Sequence, residues 1–291
     1  MIVRGHERML VQGITGRQGT FWTERMQEYG SRIVAGVNPK RAGDTHCGVP
    51  VYASAREVAE DGVIDVSVLF IPPLAVRDAA LDAIEAGVKK LVVLTEHIPV
   101  QDVMYFLSAA RANGASVVGP NTAGLVTPGE CFAGFMPAFS ESIFRRGSIG
   151  VISRSGSLGT LICLNLVQAG HGESAFVGIG GDPIIGTSTR DALEALDRDD
   201  QTQAVVMVGE IGGAMEEEAA EYAAGMSKPV LAFIAGQASP PGKKMGHAGA
   251  IVMGNRGTYA SKRTALERAG VRVLDTPSDV GGAISELVIV E

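Results

Sequence analysis

A lone histidine lies in a loop of small residues. His247 is embedded in GKKMGHAGAI, from Gly242 to Ile251, with two lysines just before it. Because bulky side chains are missing on both sides of the imidazole, a large group could approach it and backbone N–H groups could face that group. The loop therefore fits a histidine that becomes phosphorylated. A flexible basic surface loop is the alternative that this decapeptide leaves open.

A serine-rich turn, ISRSGSLG, runs from Ile152 to Gly159 between an apolar run and a helical stretch. Its hydroxyl groups belong to Ser153, Ser155 and Ser157. Gly156 opens the backbone, and the following helix contributes partial positive charge, so the turn favours a phosphoryl group. A serine hydrolase elbow would require GxSxG, and Arg154 stands where its first glycine belongs. An ordinary serine N-cap is the alternative.

A carboxylate follows another apolar run in VGEIGG, from Val208 to Gly213. At the carboxyl end of a strand, Glu210 can orient an imidazole through Nδ1–H and leave Nε2 as the nucleophile. The same carboxylate can stabilise a cationic phosphoimidazole. The alternative is a carboxylate that caps the next helix. The nearby glutamates Glu216, Glu217 and Glu218 are expected on a solvated helical face.

A glycine-rich turn, VQGITGRQGTF, separates the first apolar run from the first helical stretch. Its glycines are spaced by three, at Gly13, Gly16 and Gly19. Such a turn lets backbone amides and a helix N-terminus approach a pyrophosphate, although Thr15 replaces the middle glycine of GxGxxG and a tight turn without ligand stays open. Lys40 and Arg41 follow the second apolar run, where a dinucleotide fold usually has an acidic residue. Basic residues there suit the extra phosphate of coenzyme A (CoA) or NADP.

The elements that must position these loops alternate between apolar runs and amphipathic helices. The first series of runs is Met9–Val11, Ile33–Val37, Val63–Ile71, Leu91–Leu94 and Ser116–Val118. The second is Ile149–Ile152, Phe176–Ile179, Val205–Val208, Val230–Ile234 and Val271–Leu274. This pattern indicates parallel strands buried on both faces. It predicts two doubly wound α/β domains, a Rossmann-like domain (1–124) and a flavodoxin-like domain (148–291), joined by an irregular segment (125–147).

Composition limits the class of protein. With 46% hydrophobic and 20% charged residues, the chain can bury two cores. A net charge of -7 provides no electrostatic footprint for nucleic acid or an anionic membrane. Neither a signal peptide nor a membrane-spanning run is visible, so a cytoplasmic protein is expected. The three widely spaced cysteines fit reduced thiols, and no metal site is expected.

Nine collinear segments resemble the α subunit of the succinyl-CoA synthetase family, the ADP- or GDP-forming acid–thiol ligases. They are QGITGRQGTF, THCGVPV, TEHIP, GPNTAG, VTPGE, GVISRSGSLG, VGIGGDPI, GEIGG and GKKMGHAGAI. The resemblance implies that the first domain binds CoA and that the second carries a phosphohistidine. A separate β subunit with an ATP-grasp fold would supply the site for ATP or GTP with Mg²⁺, in an αβ or α₂β₂ complex.

The resemblance also assigns site residues. His247 would take the phosphoryl group and Glu210 would hydrogen-bond its imidazole. The phosphate would be held by Ser153, Ser155, Gly156, Ser157 and Gly246. The CoA site would comprise Gly13, Thr15, Gly16, Arg17, Gln18, Gly19, Val37, Pro39, Lys40, Ile71, Pro72, Thr95, Glu96 and Asn121.

The acid substrate is less well defined by sequence. Thr122 and Ala123 stand where succinate-type members typically have Cys-Pro, and SGSLGT departs from their SGTLTY. Ala123 and the SGxLG pattern are more similar to malate–CoA ligase subunits, whereas Thr122 matches neither group. The segment from Pro137 to Gly147 also diverges. Succinate is the commonest substrate of the family, and malate or another small carboxylate is the alternative.

Two hypotheses from other classes stay open at this point. The Lys40–Arg41 pair also suits an NADP-dependent oxidoreductase, which would need an acid or base facing the nicotinamide. A CoA-binding regulator with a structural second domain would bind CoA without histidine phosphorylation. The regulator hypothesis does not explain why the serine-rich turn, Glu210 and the His247 loop occur together, so the ligase is preferred.

Overall fold

The computed structural model describes residues 1–239, 247, 249–250, 252 and 257–287. In this part of the chain two seven-stranded sheets are each accompanied by helices. The prediction of two α/β units is confirmed. No helix of the described residues combines the length and the apolar character that crossing a bilayer requires.

The first sheet has the winding of a dinucleotide-binding domain. Its strands are β1 (Met9–Gln12), β2 (Ile33–Val37), β3 (Thr45–His46), β4 (Val49–Tyr52), β5 (Val66–Leu69), β6 (Lys90–Val93) and β7 (Ser116–Val118). Its helices are α1 (Arg17–Tyr29), α2 (Ala55–Glu60), α3 (Val76–Glu85) and α4 (Val100–Ala112), with short 3-10 helices at Pro39–Arg41 and Pro73–Ala75. The order β3-β4-β2-β1-β5-β6-β7 gives the six parallel strands the arrangement 3-2-1-4-5-6. Its topological switch point lies between β1 and β5.

The second sheet has flavodoxin-like winding. Its strands are β8 (Gly124–Thr127), β9 (Cys131–Gly134), β10 (Arg146–Ser153), β11 (Glu173–Gly178), β12 (Ala204–Glu210), β13 (Val230–Ala235) and β14 (Arg272–Leu274). Its helices are α5 (Gly156–Gln168), α6 (Thr189–Asp197), α7 (Met215–Ala223), α8 (Tyr259–Arg268) and α9 (Val280–Leu287), with a 3-10 helix at Pro277–Asp279. The order β14-β13-β12-β10-β11 is the 2-1-3-4-5 arrangement, whose switch point lies between β10 and β12.

The stretch expected to be irregular contains a β-hairpin. Strands β8 and β9 pair antiparallel, and β8 extends the second sheet beyond β11. Gly124 and Gly134 face each other across the hairpin, where a Cβ on either would come within 2.1–2.3 Å of the opposing backbone. All residues of the two hairpin strands are buried, so the hairpin belongs to the core. The domain limits themselves stay a prediction.

The hairpin also joins the two domains. The Ser31 hydroxyl, just after α1, donates to the Phe132 carbonyl in β9 at 2.7 Å, and Phe132 N–H returns a bond to Ser31 Oγ at 3.0 Å. Trp22 and Tyr29 of α1 pack edge-on against the Phe132 ring. The first helix of one domain is therefore tied to the edge of the other sheet.

Candidate active site

The switch point of the second sheet brings Glu210 and His247 together. Glu210 ends β12, and its Oε2 accepts a hydrogen bond from Nδ1–H of His247 at 2.8 Å. A carboxylate at Nδ1 places the ring proton there and leaves the Nε2 lone pair available. Glu210 does not cap the next helix, because α7 has no side-chain cap. The capping alternative for Glu210 is therefore excluded.

The imidazole is half-buried among charged groups. Its hydrogen bond to Glu210 is the chief cause that raises the pKa of His247, and the charges of Glu210 and Asp182 act in the same direction. Burial and the guanidinium of Arg154 lower the pKa but do not cancel the rise. The ring thus holds a proton to higher pH than an ordinary histidine.

Arg154 is a site residue that the sequence analysis did not assign. Its Nη2 lies 3.3 Å from Glu210 Oε1, and its side chain is only 2% exposed. Among the residues that the structure describes, none is a hydrogen-bond partner of its Nε or Nη1 atom. A Cβ on Gly249 would come within 2.5 Å of Nη2, so the guanidinium packs closely against Gly249. A charged residue directly after an apolar strand was the signal available in the sequence.

The serine-rich turn after β10 leads into the N-terminus of α5. Ser155 is the N-cap: its Oγ accepts the Leu158 N–H at 3.4 Å and lies 3.2 Å from Ser157 Oγ. Ser153 is fully buried, and its hydroxyl donates to the Ser155 carbonyl at 2.6 Å. Ser155 can cap the helix and still belong to an anion site, because a capped helix still presents N–H groups of its first turn.

Two loops from other elements close the site around the imidazole. Gly181 lies after β11, and a Cβ there would come within 2.6 Å of His247 Cδ2. Asn121 precedes β8; its carbonyl accepts the Gly181 N–H at 3.0 Å, and its Nδ2–H donates to Asp182 Oδ1 at 2.9 Å. Asn121, assigned to the CoA site by resemblance, is therefore hydrogen-bonded to the loop that contacts the histidine. Gly246 lies outside the described residues.

The first sheet carries a separate groove at its own switch point, a cavity of about 870 Å³. Eight of the residues assigned to the CoA site line it: Gly13, Thr15, Gly16, Val37, Pro39, Lys40, Ile71 and Pro72. Gly13 has a φ of +79°, and a Cβ there would lie 2.3 Å from the Phe70 carbonyl oxygen. The turn after β1 thus approaches the loop after β5 more closely than a side chain allows.

The other assigned residues surround the groove or lead away from it. Arg17 and Gln18 are exposed in the first turn of α1, and buried Gly19 packs on the turn. Glu96 is exposed beside His97. Thr95 connects the two sites: its hydroxyl donates to the Ile71 carbonyl at 2.6 Å, and its carbonyl accepts the Asn121 N–H at 3.0 Å.

One expectation about a single residue was wrong. Glu216 was placed on a solvated face, but it is fully buried and forms an ion pair with Lys262. The side chain lies on the inner stripe of α7, where a cation satisfies its charge. His171, directly after the turn that ends α5, is buried, with Nε2 2.7 Å from Ser285 Oγ. Burial lowers the pKa of His171.

Comparison with known proteins identifies the class. Residues 5–97 match the family model of the CoA binding domain, and residues 152–272 match that of CoA-ligase. A succinate–CoA ligase [ADP-forming] subunit alpha of Methanothermobacter thermautotrophicus is 50% identical over 273 residues, which cover 94% of this chain and 92% of the relative. An ADP-forming sulfoacetate–CoA ligase subunit of Bilophila wadsworthia is 40% identical over 290 residues, 99% of each chain.

The fold is shared with a larger enzyme. Methanosaeta concilii ATP citrate lyase, solved in complex with (3S)-citryl-CoA, superposes with a TM-score of 0.88 at 23% identity. The alignment covers 99% of this chain and 50% of that one, so the chain spans about half the length of that structure.

These findings define a two-domain subunit of a nucleotide-dependent CoA ligase. The chain belongs to the family of succinate–CoA ligase α subunits. The resemblance drawn from nine short segments is confirmed.

Proposed function

We propose that this subunit joins a small carboxylic acid, succinate in the first place, to CoA through a phosphohistidine at His247 and an acyl phosphate. The observation that carries the proposal is the 2.8 Å hydrogen bond between His247 Nδ1 and Glu210 Oε2. It orients Nε2 as a nucleophile and sets a negative charge beside the cationic phosphoimidazole. The relatives named for succinate and for sulfoacetate support an acid–CoA ligase with a small acidic substrate.

The reaction proceeds by three transfers. Nε2 of His247 attacks the γ-phosphorus of ATP or GTP, and the bond to the nucleoside diphosphate breaks. A carboxylate oxygen of the acid then attacks this phosphorus, the P–N bond breaks and an acyl phosphate forms. The CoA thiolate attacks the acyl carbon and expels inorganic phosphate. Each transfer replaces part of a difficult direct condensation.

The phosphoryl group would lie at the N-terminus of α5. Ser155 and Ser157 provide hydroxyl groups there, and Gly156 between them is the first residue of the helix, where a Cβ would come within 2.9 Å of Ala123 Cβ. The helix contributes N–H donors and partial positive charge. Ser153 would contribute indirectly, because its hydroxyl holds the turn in place through the hydrogen bond to the Ser155 carbonyl. Gly246 keeps its assignment from the resemblance.

CoA would occupy the groove of the first domain. The turn from Gly13 to Gly19 and the start of α1 would receive the pyrophosphate, and exposed Lys40 would pair with the 3′-phosphate. The apolar side chains of Val37 and Ile71 suit contact with the nucleobase of CoA. The pantetheine arm would then follow Thr95 and Asn121 towards His247, along the hydrogen bonds that join the two sites.

A second chain would complete the enzyme. The relatives are named as subunits, which supports a β partner in an αβ or α₂β₂ complex. An ATP-grasp domain of this partner would bind the nucleotide with Mg²⁺ and contribute to the carboxylate site. We assign the assembled enzyme to the cytoplasm.

The test is to purify the chain with its natural partner and add γ-labelled ATP or GTP. Acid-labile, base-stable label should appear on this chain and should be discharged by CoA with an acid. Succinate, malate and sulfoacetate, supplied separately, would show which acid discharges it most rapidly. No label in the presence of a nucleotide-binding partner would overturn the phosphohistidine.

Replacing His247 with Asn removes the nucleophile but leaves the CoA groove untouched. Label and ligase turnover should be lost, whereas the Kd for CoA, measured by calorimetry on the same complex, should stay within about twofold. Turnover retained in this variant would contradict the role of His247.

A further inference from the structure

A buried ion pair lies directly behind Glu210. Glu216 is in the first turn of α7 and Lys262 in the first turn of α8, and both side chains are completely buried. Lys262 Nζ donates to Glu216 Oε2 and lies 3.6 Å from Glu217 Oε2. Glu217 in turn accepts the Ser261 hydroxyl at 3.0 Å. The pair thus joins two helices that follow β12 and precede β14.

The pair touches the backbone of the residue that holds the histidine. Glu216 Oε1, the oxygen turned away from Lys262, accepts the Glu210 N–H at 3.2 Å. A Cβ on Gly209 would lie 2.6 Å from the same oxygen, so the carboxylate packs tightly against the end of β12. Glu210 is therefore held at its backbone by Glu216 and at its side chain by Arg154 and His247.

Stability alone does not account for such a pair. Removing two charges from water costs about as much as their attraction returns, and a well-packed apolar pair would stabilise the fold as well or better. A backbone N–H at the end of a strand, however, needs an acceptor. Glu216 supplies it only if its own charge is compensated, which is what Lys262 does.

We propose that Glu216 and Lys262 are positioning residues, which fix the end of β12 so that the Glu210 carboxylate meets Nδ1 of His247. Their effect on turnover rests on the proposed function of His247. Their effect on the histidine itself does not, because it can be read from the ionisation of the ring.

Two double variants separate positioning from packing. In Glu216→Gln/Lys262→Met both charges are gone, but the amide oxygen still accepts the Glu210 N–H. In Glu216→Leu/Lys262→Met the acceptor is gone as well. Only the second variant should release Glu210, while its apolar pair keeps the helices packed.

The first readout is the pKa of His247 in the assembled enzyme, followed by NMR of labelled histidine, of which the chain has five. Among the described residues, the charged groups that act on the ring are Glu210, Asp182 and Arg154. The pKa should fall towards the ordinary value of about 6.5 in the leucine variant and stay near the wild-type value in the glutamine variant. The second readout is kcat, expected to fall about tenfold or more in the leucine variant with an unchanged KM for CoA.

Glu218→Gln is the matched control, since Glu218 is exposed on the same helix and should alter neither readout. A folded leucine variant with wild-type pKa and kcat would overturn the proposal. If that variant does not assemble, Glu216→Asp replaces it: the shorter side chain keeps its charge but withdraws from Glu210, and unchanged readouts would again overturn the idea. The two proposals can fail separately. If the wild-type enzyme takes up no label but the pKa of His247 is lower in the leucine variant, the proposed function is refuted and the positioning role is supported.

Discussion

At the scale of single residues, the Glu210 carboxylate should control when the histidine can react. The hydrogen bond from His247 to Glu210 is the main cause of the raised pKa of His247, and a protonated ring cannot attack phosphorus through Nε2. The labelling rate should therefore increase with pH through a midpoint above that of an ordinary histidine. In Glu210→Gln we expect a midpoint at lower pH and a plateau about 10²-fold lower, because the charge that stabilises the phosphoimidazole is lost.

Single-turnover labelling across a pH series measures both quantities. Glu218→Gln makes the same chemical change on an exposed part of α7 and should leave the profile as it is. An unchanged midpoint and plateau in Glu210→Gln would remove the carboxylate from the reaction.

Lys40 and its neighbour Arg41 offer a comparison at the CoA groove. Lys40 lines the cavity, whereas Arg41 is absent from its lining and forms an ion pair with Asp44 at 2.5 Å. Lys40→Glu should weaken CoA by about tenfold more than it weakens dephospho-CoA, because the charge is proposed to meet the 3′-phosphate. Arg41→Glu should not discriminate between the two ligands. Calorimetric Kd values for both would decide, and equal weakening by Lys40→Glu would place the 3′-phosphate elsewhere.

The sequence pointed to Glu210 and His247 as a candidate pair, but not to the residues that hold Glu210 in place. Glu210 was visible because a lone carboxylate follows an apolar strand. Glu216 was hidden within three consecutive glutamates, although it shares its face of α7 with the buried alanines 219, 220 and 223, spaced as on one helical stripe. Lys262 likewise stands four residues before buried Leu266 in α8. Periodicity could have placed both inside; only the structure could pair them.

At the scale of elements, alternation of strand and helix located the loops that carry chemistry. Apolar runs predicted the parallel strands, and ligands of such folds lie beyond their carboxyl ends. Strand order depends on contacts between distant segments, so the two switch points could not be read from local pattern. The hairpin of β8 and β9 was missed because its burial depends on Phe132 meeting Ser31, about a hundred residues away. Helix α2 was also missed, although Ser54 and Glu57 have the S-x-x-E spacing of a capping box. Ser54 Oγ accepts the Glu57 N–H at 3.2 Å, and the Glu57 carboxylate accepts the Ala53 N–H at 2.9 Å.

Helix α1 lies in close contact with the turn before it, so a single added methyl group there should have a strong effect on CoA binding. A Cβ on Gly19 would lie 2.2 Å from the Gly13 carbonyl oxygen, so Gly19→Ala must push the helix away from the turn. CoA binding should weaken by about tenfold or more because the helix N-terminus no longer faces the pyrophosphate. Labelling of His247 should persist.

The control for this prediction is Gly282→Ala in α9, where an added Cβ meets nothing within 4 Å. Calorimetry with CoA measures both variants, and a wild-type Kd for Gly19→Ala would show that the turn does not hold CoA.

At the scale of the whole molecule, the two switch points form one continuous path. Ile71 at the groove is hydrogen-bonded to Thr95, and Thr95 is hydrogen-bonded to Asn121. Asn121 is hydrogen-bonded to Gly181, whose loop packs against the histidine. The ends of the two sheets are thus joined by one chain of hydrogen bonds. This arrangement supports the proposed reaction, in which the thiol of CoA on one domain would have to reach an acyl group formed on the other.

A buried carboxyl far from this path should make the stability of the molecule depend on pH. Glu173 at the start of β11 is fully buried, and burial raises its pKa to about 8, although the Arg145 N–H donates to its Oε2 at 3.0 Å. The folded chain therefore binds a proton that the unfolded chain releases near pH 4.5. Between that pH and about 8, this group lowers the free energy of unfolding by about 1.4 kcal/mol per pH unit.

In Glu173→Gln, which keeps an acceptor for Arg145 without titrating, the apparent Tm of the assembled enzyme should exceed that of wild type by a margin that grows from pH 5 to pH 8. The exposed substitution Glu28→Gln should show no such trend, and a constant difference for Glu173→Gln would mean that the buried carboxyl keeps its ordinary ionisation.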